Sequence, residues 1–335
     1  MSELNSIAKK IINHGKGILA ADESTTTMTK RLESVRIKST FENRLRFRSL
    51  LFSSDAMQNY IGGVILFDET IRQKYEGLYI PKLIENNNSI PGIKVDIGAK
   101  RLAGSEEEKI TEGLDGLRER LDEYYKLGAR FTKWRGVYNI SKRTPSQLAV
   151  YSNAHALARY ASLAQEAGMV PIVEPELIME GDHSADECLI KTTEVIKKCF
   201  DELIFNKVDL SGMILKPNMI LPGKDSDQNL SSSEIAEMTL SCLMDSVPSE
   251  VPGIAFLSGG QSEIEATENL NNINRINKSS FVMTFSYGRA LQQSSLKFWS
   301  KNINDEEGTK NIFNHRAKMC SLASKGEWNI DIETE

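Results

Sequence analysis

The sequence has few cysteines and few histidines, and neither type clusters. The four cysteines (Cys188, Cys199, Cys242, Cys320) lie far apart without a CxxC pair, which argues against a disulfide framework or a thiolate metal site. The four histidines (His14, His155, His183, His315) include no HxH or HxxxH pair. Zinc needs clustered histidines, carboxylates or thiolates. We therefore expect no metal and no other cofactor.

Long apolar runs and an excess of charge are also missing. No stretch approaches the roughly 20 apolar residues of a membrane span, and the N-terminus, MSELNSIAKKIINHGKG, lacks the apolar region of a signal peptide. The net charge of −5 gives no broad basic surface for nucleic acid. We expect a cytoplasmic protein that binds neither membranes nor nucleic acid, and any anion site must be local.

Eight short apolar runs recur along the 335 residues, and each ends in a polar or charged residue. They are GILAAD (17–22), GGVILFD (62–68), GIKVD (92–96), RFTKWR (130–135), VPIVEPE (170–176), MILKPN (213–218), GIAFLSGG (253–260) and FVMTFSYGR (281–289). Continuous apolarity is typical of strands buried on both faces of a parallel sheet.

Helix-like segments lie between these runs. Residues 114–129 and 153–169 repeat apolar residues every three or four positions, and Ser231 with Glu234 forms a capping-box pattern. Eight alternations without a linker predict a single (β/α)8 TIM barrel, an α/β fold that occupies residues 1–335 as one domain with a short tail from about 327. Two doubly wound domains remain the alternative.

The ends of the predicted strands carry the candidate chemistry, because barrels of this kind place their active sites there. The ends include Asp22, Lys94, Lys133, Arg135, Glu174, Glu176, Lys216, Ser258-Gly259-Gly260 and Ser286-Tyr287-Gly288-Arg289. Glycine-bearing turns expose N–H groups that bind phosphate, typically after strands 7 and 8. Lys94 and Arg135 could hold a second anionic group, so we expect a bis-phosphate substrate.

Lys216 ends an apolar run, although lysine is rarely buried without a partner. A neutral lysine amine attacks a carbonyl to give a Schiff base, whose iminium acts as an electron sink. Repulsion by Lys133 and partial desolvation would both favour the neutral amine. Glu174 would then serve as acid and base for the carbinolamine. The alternative is a structural lysine that reaches a carboxylate at the rim.

Nine motifs resemble, in order and spacing, the class I fructose-1,6-bisphosphate aldolases of the eukaryotic type. They are GKGILAADEST, GVILFDET, GIKVD, FTKWR, VPIVEPE, GDH, LKPNM, FLSGGQSE and TFSYGRALQ, and the resemblance runs from about Ile7 to about Lys325. The resemblance implies a (β/α)8 barrel, usually a homotetramer, that reversibly cleaves fructose 1,6-bisphosphate through a lysine Schiff base in glycolysis and gluconeogenesis.

The resemblance also implies roles for individual residues. Lys216 resembles the Schiff-base lysine, Glu174 the general acid/base with Glu176 beside it, and Asp22 the acceptor of the C4-hydroxyl proton. Lys133 and Arg135 resemble the pair that tunes the lysine and binds substrate. The C1-phosphate site would comprise Ser258, Gly259, Gly260, Ser286, Gly288 and Arg289. Positions linked to the other phosphate and to arginine-gated substrate contact are Thr27, Arg31 and Lys94.

The sequence departs from the family pattern at four places: the DESTTT stretch, Asp68 in place of a histidine, Ile97 in place of a lysine, and the end of the chain. DESTTT replaces DESTGS, so Thr26 stands for a glycine and should stiffen its loop. After Trp328 the chain reads NIDIETE, without the terminal tyrosine of many members; we expect this acidic end to be mobile and to stay out of the site, which leaves Glu174 to protonate C3. The competing interpretations are a zinc-dependent aldolase and a scaffold protein that has lost catalysis.

Overall fold

Eight parallel strands close into a barrel in the computed structural model, which describes residues 2–333. The barrel strands are β1 (Gly17–Ala21), β2 (Ile61–Leu66), β5 (Ile90–Lys94), β8 (Phe131–Tyr138), β9 (Val170–Leu177), β10 (Ile214–Leu215), β11 (Gly253–Phe256) and β12 (Val282–Tyr287). Two hairpins outside it pair β3 (Lys74–Tyr75) with β4 (Leu78–Tyr79), and β6 (Ala99–Arg101) with β7 (Lys109–Thr111). All eight apolar runs form barrel strands, so the predicted fold is confirmed and the doubly wound alternative is wrong.

Helices surround the barrel and cover its N-terminal end. Within residues 2–333 they are α1 (Glu3–Ile11), α2 (Thr25–Ser34), α3 (Phe41–Phe52), α4 (Asp55–Asn59), α5 (Asp68–Ile71), α6 (Ile80–Asn86), α7 (Leu117–Lys126), α8 (Gln147–Glu166), α9 (Ala185–Phe205), α10 (Ser232–Ser246), α11 (Glu263–Ile276), α12 (Arg289–Lys301) and α13 (Glu306–Ala323), with 3₁₀ turns at Leu210–Gly212 and Asp331–Glu333. The capping box of α10, between Ser231 and Glu234, is confirmed. The helix predicted over 153–169 corresponds to α8 and begins earlier, at Gln147, because Ser146 caps it.

The barrel interior is a packed core rather than a channel. Its buried side chains come from the strands and from α1, and include Ile18, Ile65, Phe131, Ile172, Ile214 and Ala255. Gly92 makes room for one of them, since a Cβ there would lie 2.4 Å from the Phe131 ring. The helices pack on the outer face of the strands in a second, larger cluster. Only the C-terminal end of the barrel therefore remains open for chemistry.

Strand register brings the charged residues to one level. Lys94 is the partner of Lys133 in the β5–β8 pair, and Arg135 is the partner of Glu174 in the β8–β9 pair. The backbone N–H of Lys216 donates to the Val173 carbonyl at 2.8 Å, which places Lys216 beside Glu174. Residues two apart along a strand face the same side. Lys133 and Arg135 therefore share a face of the barrel.

The end of the described chain packs against α13. Trp328 is buried, and the Glu333 carboxylate forms an ion pair with Arg316 and accepts a 2.7 Å hydrogen bond from Trp328 Nε1. The Arg316 side chain is only 5% exposed. The expectation of a mobile acidic end is therefore wrong for Asp331–Glu333, because Arg316 needs the carboxylate as its counter-charge. Positions 334 and 335 lie outside the described residues.

Glu333→Ala should lower the free energy of unfolding by about 3 kcal/mol, because it leaves the buried Arg316 guanidinium unpaired. Urea denaturation followed by circular dichroism measures this change. Glu327→Ala is the matched control, since Glu327 precedes Trp328 and is exposed; its effect should stay within about 0.5 kcal/mol. Equal effects for the two variants would show that the ion pair does not stabilise the fold.

Candidate active site

A cavity of about 600 Å³ opens at the C-terminal end of the barrel. Fourteen of the fifteen predicted residues line it: Asp22, Thr27, Arg31, Lys94, Lys133, Arg135, Glu174, Glu176, Lys216, Ser258, Gly259, Ser286, Gly288 and Arg289. The structure does not bring Gly260 into this cavity. Gly260 has a φ of +84°, and a Cβ there would lie 2.8 Å from Met179. Gly260 lies in the turn between β11 and α11, and its backbone conformation there favours glycine.

Two amines and two carboxylates meet on the cavity floor. Lys133 Nζ lies 2.7 Å from Asp22 Oδ2 and 3.2 Å from Glu174 Oε2. Lys216 Nζ lies 3.0 Å from the other Glu174 oxygen, Oε1. The side chains of Glu174 and both lysines are 4–5% exposed. Glu174 therefore bridges the two amines, and one carboxylate can exchange protons with Lys216 while it stays paired with Lys133.

In this cluster, burial and the attraction between opposite charges shift the pKa values in opposite directions. The attraction has the larger effect. Burial acts to raise the pKa of Asp22, but Lys133 and Lys216 outweigh it and hold that pKa well below its usual range. Burial likewise acts to raise the pKa of Glu174, and the same two lysines lower it. Burial acts to lower the pKa of Lys133, yet Asp22 and Glu174 raise it. Two carboxylates and a protonated Lys133 are therefore the resting state.

This charge balance bears on the role expected for Lys133. Repulsion by Lys133 is expected to favour the neutral amine of Lys216, whereas Asp22 and Glu174 lie beside Lys133 and offset its charge. Lys216 itself is paired with Glu174. Burial itself is as expected, since Lys216 is 4% exposed. Its ammonium ends on Glu174 inside the site, not on a carboxylate at the rim.

One side of the cavity is built for an anion. Ser258 and Gly259 follow β11, while Gly288 and Arg289 lie at the N-terminus of α12. Free N–H groups at a helix N-terminus bind phosphate well. The Ser286 hydroxyl is buried and has no hydrogen-bond partner within residues 2–333. A ligand oxygen would satisfy this hydroxyl.

Further cations line the cavity, and Lys94, Arg135 and Arg31 are already paired. Lys94 Nζ lies 3.3 Å from Asp96, and Arg135 forms an ion pair with Glu176. Arg31 forms an ion pair with Glu23. A second anionic group would have to compete with these carboxylates. Arg31 also keeps two buried nitrogens, Nε and Nη2, without a hydrogen-bond partner in the described chain.

The DESTTT departure falls at the start of α2. Thr25 to Thr27 are helical, and the Ser24 side chain accepts a hydrogen bond from the Thr27 N–H at 3.3 Å. The hydroxyls of Ser24 and Thr27 lie 3.1 Å apart. The threonines therefore stand in a capped helical turn, and Thr27 still presents a hydroxyl to the cavity.

Sequence reasoning missed several side chains that line the cavity: Glu23, Ser24, Lys30, Ser34 and Gln293. Two of them, Lys30 and Ser34, could have been found from helical spacing, since they follow the same face of α2 as Thr27 and Arg31. Glu23 directly follows Asp22, and its partner Arg48 comes from α3. Only tertiary packing brings that arginine to the site.

Across residues 2–333, no group of three or more histidine, cysteine, aspartate or glutamate side chains is arranged to hold a metal ion. The zinc-dependent alternative therefore finds no ligand set in this part of the chain.

None of the helices between residues 2 and 333 combines the length and apolarity needed to cross a membrane.

Comparison with known proteins gives matches over nearly the whole chain. The family model for class I fructose-bisphosphate aldolase matches residues 3–335. A probable fructose-bisphosphate aldolase class 1 of Xanthomonas campestris is 47% identical, over 98% of this chain and 99% of its own. The cytosolic fructose-bisphosphate aldolase 4 of Arabidopsis thaliana is 46% identical, over 99% of this chain and 85% of its own.

A solved structure agrees with the fold as closely. Fructose-bisphosphate aldolase from Plasmodium falciparum, crystallised with TRAP and a small-molecule inhibitor, matches with a TM-score of 0.96 at 44% identity. The match covers 98% of this chain and 95% of that one. The fold and the sequence motifs thus lead to the same set of proteins.

Lys133→Met should lower the free energy of unfolding by about 3 kcal/mol at pH 7, because it leaves Asp22 and Glu174 with less counter-charge. Both carboxyls have depressed folded-state pKa values. Their stabilisation is present above about pH 5 and is lost as pH falls through those values, whereas the stabilisation from the raised pKa of Lys133 is fully present below about pH 10 and is lost only at alkaline pH. The gap to wild type should therefore narrow toward pH 3.

Urea denaturation between pH 3 and pH 7 measures this gap. Lys224→Met is the control, since the pair of Lys224 with Glu180 is about half exposed and should contribute less than about 1 kcal/mol. A gap that stays constant with pH would contradict the assigned charge states.

Proposed function

Because the chain belongs to the class I fructose-bisphosphate aldolase family and cleaves fructose 1,6-bisphosphate reversibly through a lysine Schiff base in glycolysis, we propose that Lys216 is that lysine. The observation that carries the proposal is the 3.0 Å contact between Lys216 Nζ and Glu174 on the cavity floor. Lys133 is the rival on the same floor. Its pKa is raised by Asp22 and Glu174 against the effect of burial, so Lys133 stays protonated and is a poor nucleophile.

Glu174 is the group that moves the protons while Lys216 forms the Schiff base with the substrate ketone. Its carboxylate takes a proton from the Lys216 ammonium, and the free amine attacks the C2 carbonyl of the ketose. The resulting carbinolamine hydroxyl receives a proton from Glu174 and leaves as water, which gives the iminium. Glu176, which shares a strand face with Glu174 and pairs with Arg135, supplies a fixed negative charge nearby.

Asp22 is the base for the cleavage step. The C3–C4 bond breaks, its electron pair moves to the iminium to give an enamine, and the C4-hydroxyl proton passes to Asp22. Lys133 keeps Asp22 in the carboxylate form that can accept this proton. Glyceraldehyde 3-phosphate then leaves. The proton on Asp22 then passes to Glu174 through Lys133, which contacts both carboxylates. Glu174 delivers this proton to the enamine at C3, and water hydrolyses the iminium to release dihydroxyacetone phosphate and Lys216, with Asp22 and Glu174 again as carboxylates.

The two phosphates bind on opposite sides of the cavity. The C1 phosphate lies against Ser258, Gly259, Ser286, Gly288 and Arg289. The distal phosphate lies against Thr27 and Lys94, with Arg31 and Arg135 able to leave their glutamate partners for it. The buried, unpartnered hydroxyl of Ser286 supports the first assignment. Gly260 shapes the loop without touching the ligand.

We further infer that the protein is a cytoplasmic homotetramer that binds no nucleic acid. The relative in Arabidopsis that is named cytosolic supports the compartment. Large apolar side chains stand exposed on α9, with Ile190 at 63%, Ile204 at 58% and Phe205 at 80%. Such groups are typical of surfaces that partner proteins cover. Sedimentation equilibrium should give the mass of four chains.

Borohydride should inactivate the enzyme in the presence of dihydroxyacetone phosphate, and peptide mapping should find the label in the peptide that contains ILKPNM. Lys216→Met should keep the fold, lose cleavage and escape labelling. Lys82→Met, which replaces an exposed lysine on α6, should behave as wild type. A label on Lys94 or Lys133 would remove Lys216 from its proposed role.

The two phosphate sites should separate on two substrates. Arg289→Ala should raise KM for both fructose 1,6-bisphosphate and fructose 1-phosphate by about tenfold or more, because both carry the C1 phosphate. Lys94→Ala should raise KM mainly for the bisphosphate. Steady-state kinetics on the purified variants measures both. Equal losses on the two substrates for Lys94→Ala would refute this division.

A further inference from the structure

We propose that Glu263 is a positioning residue that holds the two halves of the C1-phosphate site in register. Its carboxylate connects the first residue of α11 to the first turns of α12, a contact we name the Glu263 clasp. Glu263 does not line the cavity, so it acts through the loops that do. The inference rests on the proposed placement of the C1 phosphate.

The clasp joins two segments that come from different strands. Glu263 Oε1 accepts a 2.9 Å hydrogen bond from the backbone N–H of Ser294, and Oε2 accepts one from the Ser294 hydroxyl. On one side, Glu263 follows the Ser258–Gly260 loop with only two residues between. On the other side, Ser294 lies in the helix that Arg289 begins. The carboxylate therefore links the loop after β11 to the loop after β12.

The Glu263 end of the clasp is fixed by further contacts. On α11, Ser262 and Glu265 form a capping box that fixes the first turn. The Glu263 carbonyl also accepts a 3.2 Å hydrogen bond from Arg316 Nη2, which donates to Thr267 Oγ1 at 2.7 Å. Arg316 is in turn paired with Glu333. Glu263 is thus fixed through its backbone as well as its side chain, and a shift of α12 would break its hydrogen bonds.

Register between these loops matters because one phosphate needs donors from both. The loop amides come from the β11 side, while Ser286, Gly288 and Arg289 come from β12. Misplacement of binding groups by about 1 Å can cost about 100-fold in rate. Removal of the clasp should therefore weaken recognition of the phosphate and leave the chemistry of Lys216 intact.

Schiff-base trapping with two ketones tests this. Dihydroxyacetone phosphate uses the phosphate site, and dihydroxyacetone does not. For Glu263→Ala, the rate of borohydride inactivation at subsaturating dihydroxyacetone phosphate should fall about tenfold, while the rate with dihydroxyacetone changes less than about twofold. Glu263→Gln should recover most of the loss, because the amide can accept from the Ser294 N–H and donate to its hydroxyl. Glu237→Ala, at an exposed glutamate on α10, should match wild type.

Arg289→Ala separates the two ways in which the inference can fail. If Arg289→Ala loses no selectivity for the phosphorylated ketone, the proposed phosphate placement is wrong and the clasp falls with it. If Arg289→Ala is selective and Glu263→Ala slows both ketones equally, only the clasp is overturned. Should Glu263→Ala fail to fold, Ser294→Ala must show a selective loss of about threefold; no selectivity there also overturns the clasp.

Discussion

The structure of the site depends on one carboxylate, Glu174, that two buried amines share. A buried charge without a partner costs several kcal/mol, so Lys133 and Lys216 can occupy the barrel mouth only with Asp22 and Glu174 beside them. The same pairing prepares the chemistry. In the proposed mechanism, Lys133 is a poor nucleophile because its two carboxylate partners keep it protonated, whereas Lys216 pairs with the single carboxylate of Glu174.

The geometry of the barrel brings these lysines and carboxylates together directly at the ends of its strands. Parallel strands end at the same edge, and their register sets Arg135 opposite Glu174 and Lys94 opposite Lys133. The apolar interior lies directly below this floor, and α1 packs against it. Electrostatic interactions among buried groups are stronger than in solvent. In the proposed binding mode, phosphate recognition takes place at the rim, where loops and helix N-termini offer N–H groups.

The sequence predicted most of this site because strand ends are visible as abrupt changes from apolar to charged residues. Glu174 and Lys216 were found in this way. Lys30 was missed although helical spacing from Arg31 could have found it, and Glu23 was missed because its arginine partners, Arg31 and Arg48, meet it only through tertiary packing. The compensation of Lys133 by Asp22 was also hidden, since it joins strands that are far apart in sequence. The spacing of residues in the sequence predicts which charged side chains lie in the same site. It does not predict which of them form ion pairs.

The C-terminal segment is a second case in which the sequence did not show which charges pair. Its acids suggested a free end, because no local pattern reveals that a buried arginine on another helix needs one of them. Glu333 satisfies Arg316, and Arg316 holds the first turn of α11 through Glu263 and Thr267. With the proposed clasp, that turn carries the phosphate loop. The segment can therefore influence substrate binding from outside the barrel, by bracing the helix that presents the loop, and needs no side chain of its own in the cavity.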